Sequence, residues 1–261
     1  MAGDRRLADE LMSRGLAGTA EESQLLIKEG RVTVDGAPAL NPNRRVSASS
    51  QVSVSAAEPY VSRGGEKLEA ALTELAVNVS GKKCLDAGTG SGGFTDVLLK
   101  EGAASVLAVD VGYGQFDWSL RNDPRVKLLE RTNIRKADPM DLGGPFDLVV
   151  ADLSFISLTA VTSVLTQAAS PDGLLLLLVK PQFEAPREEV PPGGVVGNPS
   201  VWSAAIQSVC DSLIGNGWSP RRVVPSRLPG ARGNREFFVL ASKGAGEDPK
   251  EMIALAVSEA I

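Results

Sequence analysis

The sequence predicts an α/β protein in which a doubly wound parallel sheet, with helices on both faces, follows a small α+β domain. From about residue 80, short apolar strands alternate with helical patterns, an order typical of β-α-β crossovers. One of these strands, LLLLLV at 174–179, is apolar at every position, as in a strand buried on both faces. The first 57 residues contain shorter elements, which indicate a separate unit.

The N-terminal domain, predicted at residues 1–57, has two helical patterns and two strand patterns. Thr19 followed by Glu22 forms a capping box at the start of the second helix. The first strand runs into a turn at Asp35–Gly36, and the second alternates between apolar and polar residues. In chain order the four segments are RRLADELMSRGL, TAEESQLLIKEG, RVTVDGAPA and QVSVS.

The larger domain is predicted at residues 66–242, after a linker at residues 58–65, and residues 243–261 are predicted to form a tail or a terminal helix. Apolar runs bounded by turn residues predict strands at 83–86, 105–110, 126–129, 147–152, 174–180 and in the segment REFFVLAS. Helical patterns lie between them, at 93–101, 157–168 and 200–215.

Composition limits the classes of protein and of site. No run of about 18 apolar residues is present, and the segment MAGDRRLADELM carries charges where a signal peptide is apolar. A cytoplasmic protein without a membrane partner is therefore expected. The 261-residue chain has no histidine and only two cysteines, so histidine-based triads and most zinc sites are excluded and no metal site is predicted.

A glycine-rich loop stands between the first strand of the larger domain and the helix after it. Gly88, Gly90, Gly92 and Gly93 let the backbone turn tightly and approach a ligand at the helix N-terminus. Three of these glycines also satisfy the dinucleotide fingerprint, and Asp110 lies about 20 residues after the loop, where a ribose-binding acid is expected. An NAD-dependent dehydrogenase is therefore one interpretation of this loop.

Asp86, two residues before the first glycine, favours a different ligand. Its carboxylate would repel a pyrophosphate, whereas it suits the ammonium group of S-adenosylmethionine. Asp110 would then accept hydrogen bonds from the ribose hydroxyls, and Asn133 in the segment TNIR would lie towards the adenine. These three positions predict S-adenosylmethionine as the cofactor.

A series of motifs follows in order between about residues 60 and 240: VSRGGEKL, LDAGTGSGGFTDVLL, AVDVGYGQFDWSLRNDPRV, ERTNIR, ADLSFISL, LVKPQFE, GGVV and GNREFF. In this order they resemble the TlyA family of S-adenosylmethionine-dependent RNA methyltransferases, long labelled hemolysins. The resemblance implies a Rossmann-like class I methyltransferase sheet preceded by an S4-like RNA-binding domain. It also implies that the substrate is ribosomal RNA, methylated on the 2′-hydroxyl of a cytidine ribose.

The family also resembles the FtsJ-type 2′-O-methyltransferases, which use a Lys-Asp-Lys-Glu tetrad. By motif, the tetrad corresponds to Lys67, Asp152, Lys180 and Glu236. Asp152 and Lys180 end two predicted strands at the carboxyl edge of the sheet, where open sheets bind their ligands. Lys180 is the candidate base, because its apolar neighbours and a facing sulfonium both favour loss of its proton.

Further contacts are implied by the resemblance or expected from position. The cofactor pocket is expected to include Ser62, Arg63, Gly64, Phe94, Asp152 and Leu153. Phosphate contacts with RNA are expected from Arg5 and Arg6 and from a basic cluster close to Glu236, which comprises Arg221, Arg222, Arg227, Arg232 and Arg235.

The charge of the chain does not decide between an RNA substrate and a small-molecule substrate. The chain carries a net charge of −5, and basic residues do not outnumber acidic ones in its first 57 residues. Glu21, Glu22 and Gly197 also replace residues that are usually basic in the family. Methylation of a small molecule, such as a natural product, is therefore an alternative, and a cytolysin is a remote one without any membrane-binding segment. No feature of the sequence specifies an oligomeric state.

Overall fold

The computed structural model describes residues 4–55, 59–230 and 232–261, which fall into two compact units that divide after residue 58. Each unit has its own apolar core. Residue 58, the predicted start of the linker, lies outside the described residues, whereas residues 59–65 belong to the second unit. The domain boundaries drawn from the sequence stay predictions.

The first unit packs two helices and short antiparallel strands around leucine, isoleucine and valine side chains. Thr19 Oγ1 accepts a hydrogen bond from Glu22 N, as the capping box predicts, but the Glu22 carboxylate binds Gly18 N instead of Thr19 N. The elements are β1 (Arg5–Arg6), α1 (Leu7–Ser13), α2 (Ala20–Lys28), β2 (Val32–Val34), β3 (Ala37–Pro38), β4 (Arg45–Val46) and β5 (Val52–Val54).

The second unit is a seven-stranded sheet with helices between its strands. Its helices are α3 (Arg63–Glu74), α4 (Gly93–Lys100), α5 (Trp118–Arg121), α6 (Thr162–Ala168), α7 (Pro181–Glu184), α8 (Pro199–Gly215) and α9 (Lys250–Ala260). Its strands are β6 (Lys83–Ala87), β7 (Ser105–Val109), β8 (Val126–Leu129), β9 (Phe146–Ala151), β10 (Ala169–Val179), β11 (Trp218–Pro225) and β12 (Phe237–Lys243).

Alternate side chains of the central strands enter two apolar clusters, one on each face of the sheet. Leu175 and Leu177 of β10 belong to one cluster, whereas Leu176 and Leu178 belong to the other. Helices α6, α8 and α9 supply side chains to the first cluster, and α3 and α4 supply the second. The predicted α/β class, with helices on both faces of a sheet, is thus confirmed.

The strand order is β11-β12-β10-β9-β6-β7-β8, and one strand, β12, departs from the parallel direction predicted for the sheet. The strands from β10 to β8 are parallel, and β12 is antiparallel to both of its neighbours, β10 and β11, so β11 runs in the same direction as β10. Strand β11 is absent from the sequence prediction because Pro220, Arg221 and Arg222 give it no apolar alternation. Proline is tolerated there because β11 is an edge strand with an irregular register near Pro220.

Several element bounds also differ from the prediction. Strand β10 begins five residues earlier than predicted and ends at Val179, so that Lys180 lies at the N-cap of α7. The predicted helix 157–168 is a 3₁₀ turn, Leu158–Ala160, followed by α6. Among the described residues, no helix is both long enough and apolar enough to cross a lipid bilayer.

Candidate active site

A cleft of about 740 Å³ opens at the carboxyl edge of the parallel strands. Strand order reverses between β6 and β9, and open α/β sheets bind ligands at such a switch point. Most of the predicted site residues line this cleft, namely Ser62, Arg63, Gly64, Lys67, Gly88, Gly90, Gly93, Phe94, Asp110, Asn133, Asp152, Leu153 and Lys180. Asp86, Gly92 and Glu236 lie outside its lining.

Two glycines of the loop allow backbone segments to approach closely. Gly88 has a φ of +85°, and a Cβ there would lie 2.6 Å from the carbonyl oxygen of Asp152. A Cβ at Gly93 would overlap Ser62 Oγ, from the segment before α3. Glycine at these positions therefore brings Asp152 and Ser62 against the loop that borders the cleft.

Replacing Gly88 with alanine is expected to lower both thermal stability and cofactor affinity, because Asp152 must move away. Gly81→Ala is the matched control, since Gly81 lies outside the cleft lining and also has a positive φ, +73°, but a Cβ there has nothing within 4 Å. Both variants carry the backbone cost of about 1 kcal/mol, and only Gly88→Ala adds the clash. Equal melting temperatures and equal calorimetric affinities for the two variants would contradict this role of Gly88.

Asp110 and Asn133 are both held by backbone N–H groups at the rim of the cleft. The Asp110 carboxylate accepts from Gly90 N at 2.8 Å and from Gly112 N at 2.6 Å. The side-chain oxygen of Asn133 accepts from Arg135 N at 3.0 Å, which leaves its amide nitrogen as the group for a ligand. The remaining lone pairs of Asp110 suit ribose hydroxyls, and the Asn133 amide suits an adenine edge.

Asp86 lies beneath the glycine loop and is fully buried. One oxygen, Oδ2, accepts from Thr95 Oγ1 at 2.7 Å, and the other, Oδ1, has no hydrogen-bond partner among the described residues. Burial raises the pKa of Asp86 to about 6, although hydrogen bonds from Thr95 and Thr89 oppose the rise. The unpartnered oxygen fits the ammonium group of S-adenosylmethionine. The residues present are therefore compatible with this cofactor.

The four predicted tetrad residues form two ion pairs. Lys67 Nζ donates to Glu236 Oε2 at 2.6 Å, and Glu236 is buried behind the lysine that lines the cleft. Lys180 Nζ forms an ion pair with Asp152 Oδ1 at 2.5 Å. Each buried ammonium is therefore paired with one carboxylate, and the cleft holds both lysines without net charge.

Three side chains near these pairs are not among the residues predicted from the sequence. Lys180 Nζ donates to Ser154 Oγ at 3.0 Å, and Ser154 lines the cleft. Phe155 also lines it, is 91% exposed and has a left-handed φ of +63°. Glu184 binds the same loop from α7. A large aromatic residue in the polar loop of ADLSFISL is the signal that could have identified this segment.

The predicted basic cluster is spread out, which corrects its description as one group beside Glu236. Extended strand β11 carries Arg221 to the opposite edge of the sheet, where its guanidinium donates to Ser242 Oγ and Ala245 O. Arg222 lies in mid-strand opposite Leu240, and Arg227 pairs with Glu74. The two exposed arginines nearest to Glu236 in the chain are Arg232 and Arg235.

Both units match known family models. Residues 60–243 match the model described as FtsJ-like methyltransferase, and residues 5–52 match the S4 domain. The first match contains every residue of the cleft lining.

Similar proteins cover nearly the whole chain. The 16S/23S rRNA (cytidine-2′-O)-methyltransferase TlyA of Mycobacterium tuberculosis is 48% identical over 92% of this chain and 90% of its own. YqxC of Bacillus subtilis, which carries an rRNA methyltransferase name, is 39% identical over 98% of this chain and 93% of its own. A solved structure of a hemolysin-named protein from Streptococcus thermophilus is 33% identical, with a TM-score of 0.75, and covers 100% of this chain and 96% of its own.

Proposed function

Because this chain belongs to the TlyA group of FtsJ-like, S-adenosylmethionine-dependent methyltransferases, we propose that it methylates the 2′-hydroxyl of a cytidine ribose in ribosomal RNA, in the cytoplasm. The membership agrees with the resemblance seen in the motifs and does not favour the dehydrogenase, natural-product or cytolysin interpretations. One observation carries the proposal: two lysine–carboxylate pairs meet at a cleft formed by an S-adenosylmethionine-type glycine loop.

The chemistry requires removal of a proton from a poor nucleophile. Bound S-adenosylmethionine supplies an electrophilic methyl group, and Asp86, Asp110 and Asn133 are the residues that would hold it. A neutral hydroxyl that accepted this methyl would become a charged oxonium, so its proton has to leave in the same step.

Lys180 is placed to take that proton. Its Nζ lies inside the cleft between Asp152 Oδ1 and Ser154 Oγ, and the residue is only 9% exposed. While Lys180 is protonated, the Asp152 carboxylate offsets its charge. The same ion pair fixes the position of the Lys180 side chain. To act as the base, the Lys180 ammonium first gives its proton to solvent; the neutral amine then accepts the hydroxyl proton and becomes an ammonium next to a carboxylate again, which stabilises the product of the transfer.

Lys67, in the ion pair with Glu236, is placed to stabilise the reacting oxygen. Its ammonium lines the cleft and is held by the buried Glu236 carboxylate, so it presents a fixed cation to negative charge on the ribose oxygen. Phe155 offers an exposed aromatic face at the same cleft, on which an unpaired base could stack. On the side of the cleft that receives the RNA, Lys67 therefore stabilises negative charge on the ribose oxygen, and Phe155 provides a ring on which a base can stack.

Affinity for RNA is proposed to come from phosphate contacts of exposed arginines, despite the acidic net charge. Arg5 and Arg6 of β1 are exposed on the S4 unit, and the Arg5 guanidinium also donates to Ser13 Oγ and lies 4.0 Å from Glu10. Replacing both with alanine is expected to weaken binding to ribosomal subunits and to reduce the slope of log affinity against log salt by about 1 to 2, because fewer counterions are released.

Arg221→Ala serves as the control for this salt series, because Arg221 is bound to Ser242 and Ala245 at the opposite edge of the sheet. Filter binding between 50 and 200 mM salt measures both variants. Wild-type affinity that does not change over this range would contradict an RNA substrate.

The proposed function is tested by incubating the protein with cofactor that carries a labelled methyl group, beside ribosomal subunits in one reaction and a small-molecule extract in the other. Label is expected in ribosomal RNA. Label that enters only the small-molecule fraction would contradict the proposal.

A further inference from the structure

The loop that carries Ser154 and Phe155 is joined to the segment from Lys180 to Glu184 by three side-chain contacts. At one end, Lys180 Nζ donates to Ser154 Oγ at 3.0 Å. In the middle, the rings of Phe155 and Phe183 lie 5.1 Å apart at 48°. At the other end, Glu184 accepts hydrogen bonds from Ser157 Oγ and Leu158 N, at the start of the 3₁₀ turn Leu158–Ala160 that precedes α6. The candidate base and Glu184 therefore stand at opposite ends of one short helix, α7, and hold the same loop.

Glu184 uses both of its carboxylate oxygens on this loop. Oε1 accepts from Leu158 N at 2.8 Å, and Oε2 accepts from Ser157 Oγ at 2.5 Å. Burial raises the pKa of Glu184, and these two hydrogen bonds act in the opposite direction. The carboxylate thus caps the 3₁₀ turn Leu158–Ala160 from outside the turn and fixes where the loop ends.

The loop between these contacts is in a conformation that needs such support. Phe155 is a bulky residue with a φ of +63°, in the left-handed region. Residues in this region persist where the surrounding structure determines them, and they cluster at functional sites. Ser154, which directly precedes Phe155, accepts a hydrogen bond from Lys180 Nζ at 3.0 Å, beside the ion pair that Lys180 forms with Asp152.

We propose that Glu184 is a positioning residue of the methyltransferase: by clamping the loop Ser154–Leu158 to α7, it sets the direction of the Lys180 amine. This inference rests on the proposed function, in which Lys180 takes the hydroxyl proton. Glu184 does not line the cleft, so it acts through Ser154 and not on the substrate.

Three variants separate positioning from a general loss of stability. Glu184→Ala is expected to slow single-turnover transfer by roughly 10- to 100-fold, because small misplacements of a reacting group are that costly. Cofactor affinity should stay at the wild-type value. Glu184→Gln should retain most of the rate, since its amide can still accept from Leu158 N and bind Ser157 Oγ. Ser154→Ala should slow transfer to a similar extent as Glu184→Ala.

A double variant tests whether both residues act through one contact. If they do, Ser154→Ala combined with Glu184→Ala is no slower than the slower single variant. Independent structural effects would instead multiply. Asn198→Ala, which removes the N-cap of α8 where Asn198 accepts from Ser200 N, is the matched control for the loss of a capping side chain and should transfer methyl at the wild-type rate.

Lysine acylation supplies a test that does not depend on RNA or on turnover. An amine-reactive ester is applied to the folded protein, and mass spectrometry gives the labelling rate of Lys180 relative to that of Lys67, which Glu236 holds independently. Glu184→Ala is expected to raise this ratio several-fold, and Glu184→Gln to leave it unchanged. Glu184→Asp, whose carboxylate is one carbon short, replaces the alanine variant if that variant does not fold.

The two proposals can fail separately. A wild-type protein that transfers no methyl to RNA would contradict the proposed function, and the acylation ratio would still decide the role of Glu184. An unchanged Lys180-to-Lys67 ratio in the alanine or aspartate variant, or multiplicative rates in the double variant, would overturn the positioning role.

Discussion

Replacing Lys180 with arginine is expected to abolish methyl transfer as completely as replacing it with alanine, by roughly 10²- to 10⁴-fold in the single-turnover rate. The reason is that a base must be able to lose its own proton, and a guanidinium stays protonated in proteins. Arginine would keep the ion pair with Asp152 and the bond to Ser154 but could not accept the hydroxyl proton.

The measurement is single-turnover transfer by both variants between pH 6 and pH 9, with cofactor affinity determined alongside. Affinity should not fall in either variant, since alanine removes a cation that faces the sulfonium and arginine leaves the charge of the cleft unchanged. Lys127→Arg, at the one exposed position of edge strand β8, is the control and should be fully active. An active Lys180→Arg enzyme would show that Lys180 acts only through its charge and that the base lies elsewhere.

Replacing Asp86 with asparagine is expected to weaken S-adenosylmethionine binding by tenfold or more, through loss of a charge-assisted hydrogen bond of roughly 1.5 to 3 kcal/mol. The same change should stabilise the protein without cofactor. A pKa of about 6, against an ordinary value of 3.8, means that the ionised carboxylate is disfavoured in the folded state. At pH 7 this costs folding about 3 kcal/mol, a cost that sets in as the pH rises from 3.8 to 6.

The pH dependence of cofactor affinity follows from the same group. Asp86 becomes protonated as the pH falls below about 6, and only the ionised form pairs with the cofactor ammonium. Wild-type affinity should therefore fall by about tenfold for each pH unit below 6, whereas affinity of the asparagine variant should not follow this titration.

Calorimetry between pH 5 and pH 8 and thermal melting of the free protein test both statements about Asp86. Asp123→Asn, at an outer loop where the carboxylate pairs with Arg125, is the matched control and should bind the cofactor normally. An Asp86→Asn protein that binds the cofactor as tightly as the wild type would remove Asp86 from the cofactor site.

The sequence predicts the position of the site because its residues follow directly from strand ends. Asp110, Asp152 and Lys180 each come immediately after an apolar strand, and parallel strands bring their carboxyl ends to one edge. The glycine loop is similarly local, since strand, turn and helix lie within a few residues of one another. Local pattern and strand direction together were sufficient for these positions.

Contacts between distant segments could not be predicted in this way. Lys67 and Glu236 are 169 residues apart, and only the packing of α3 against the loop before β12 makes them a pair. Asp86 is fully buried and does not line the cleft. Its position at the end of a strand does not by itself predict this burial. The conformation of Phe155 is set by contacts with α7, and β11 is an edge strand whose prolines and arginines hide its strand character.

The chemical identity of the methylated atom tests the central claim most directly. Ribosomal subunits that lack the modification are incubated with the protein and S-adenosylmethionine, and the RNA is digested to nucleosides and analysed by mass spectrometry. We expect 2′-O-methylcytidine, formed by the wild-type protein and not by Lys180→Ala. A methyl group on a base, or RNA that gains no methyl group, would contradict the account of a lysine that removes the proton of a ribose hydroxyl.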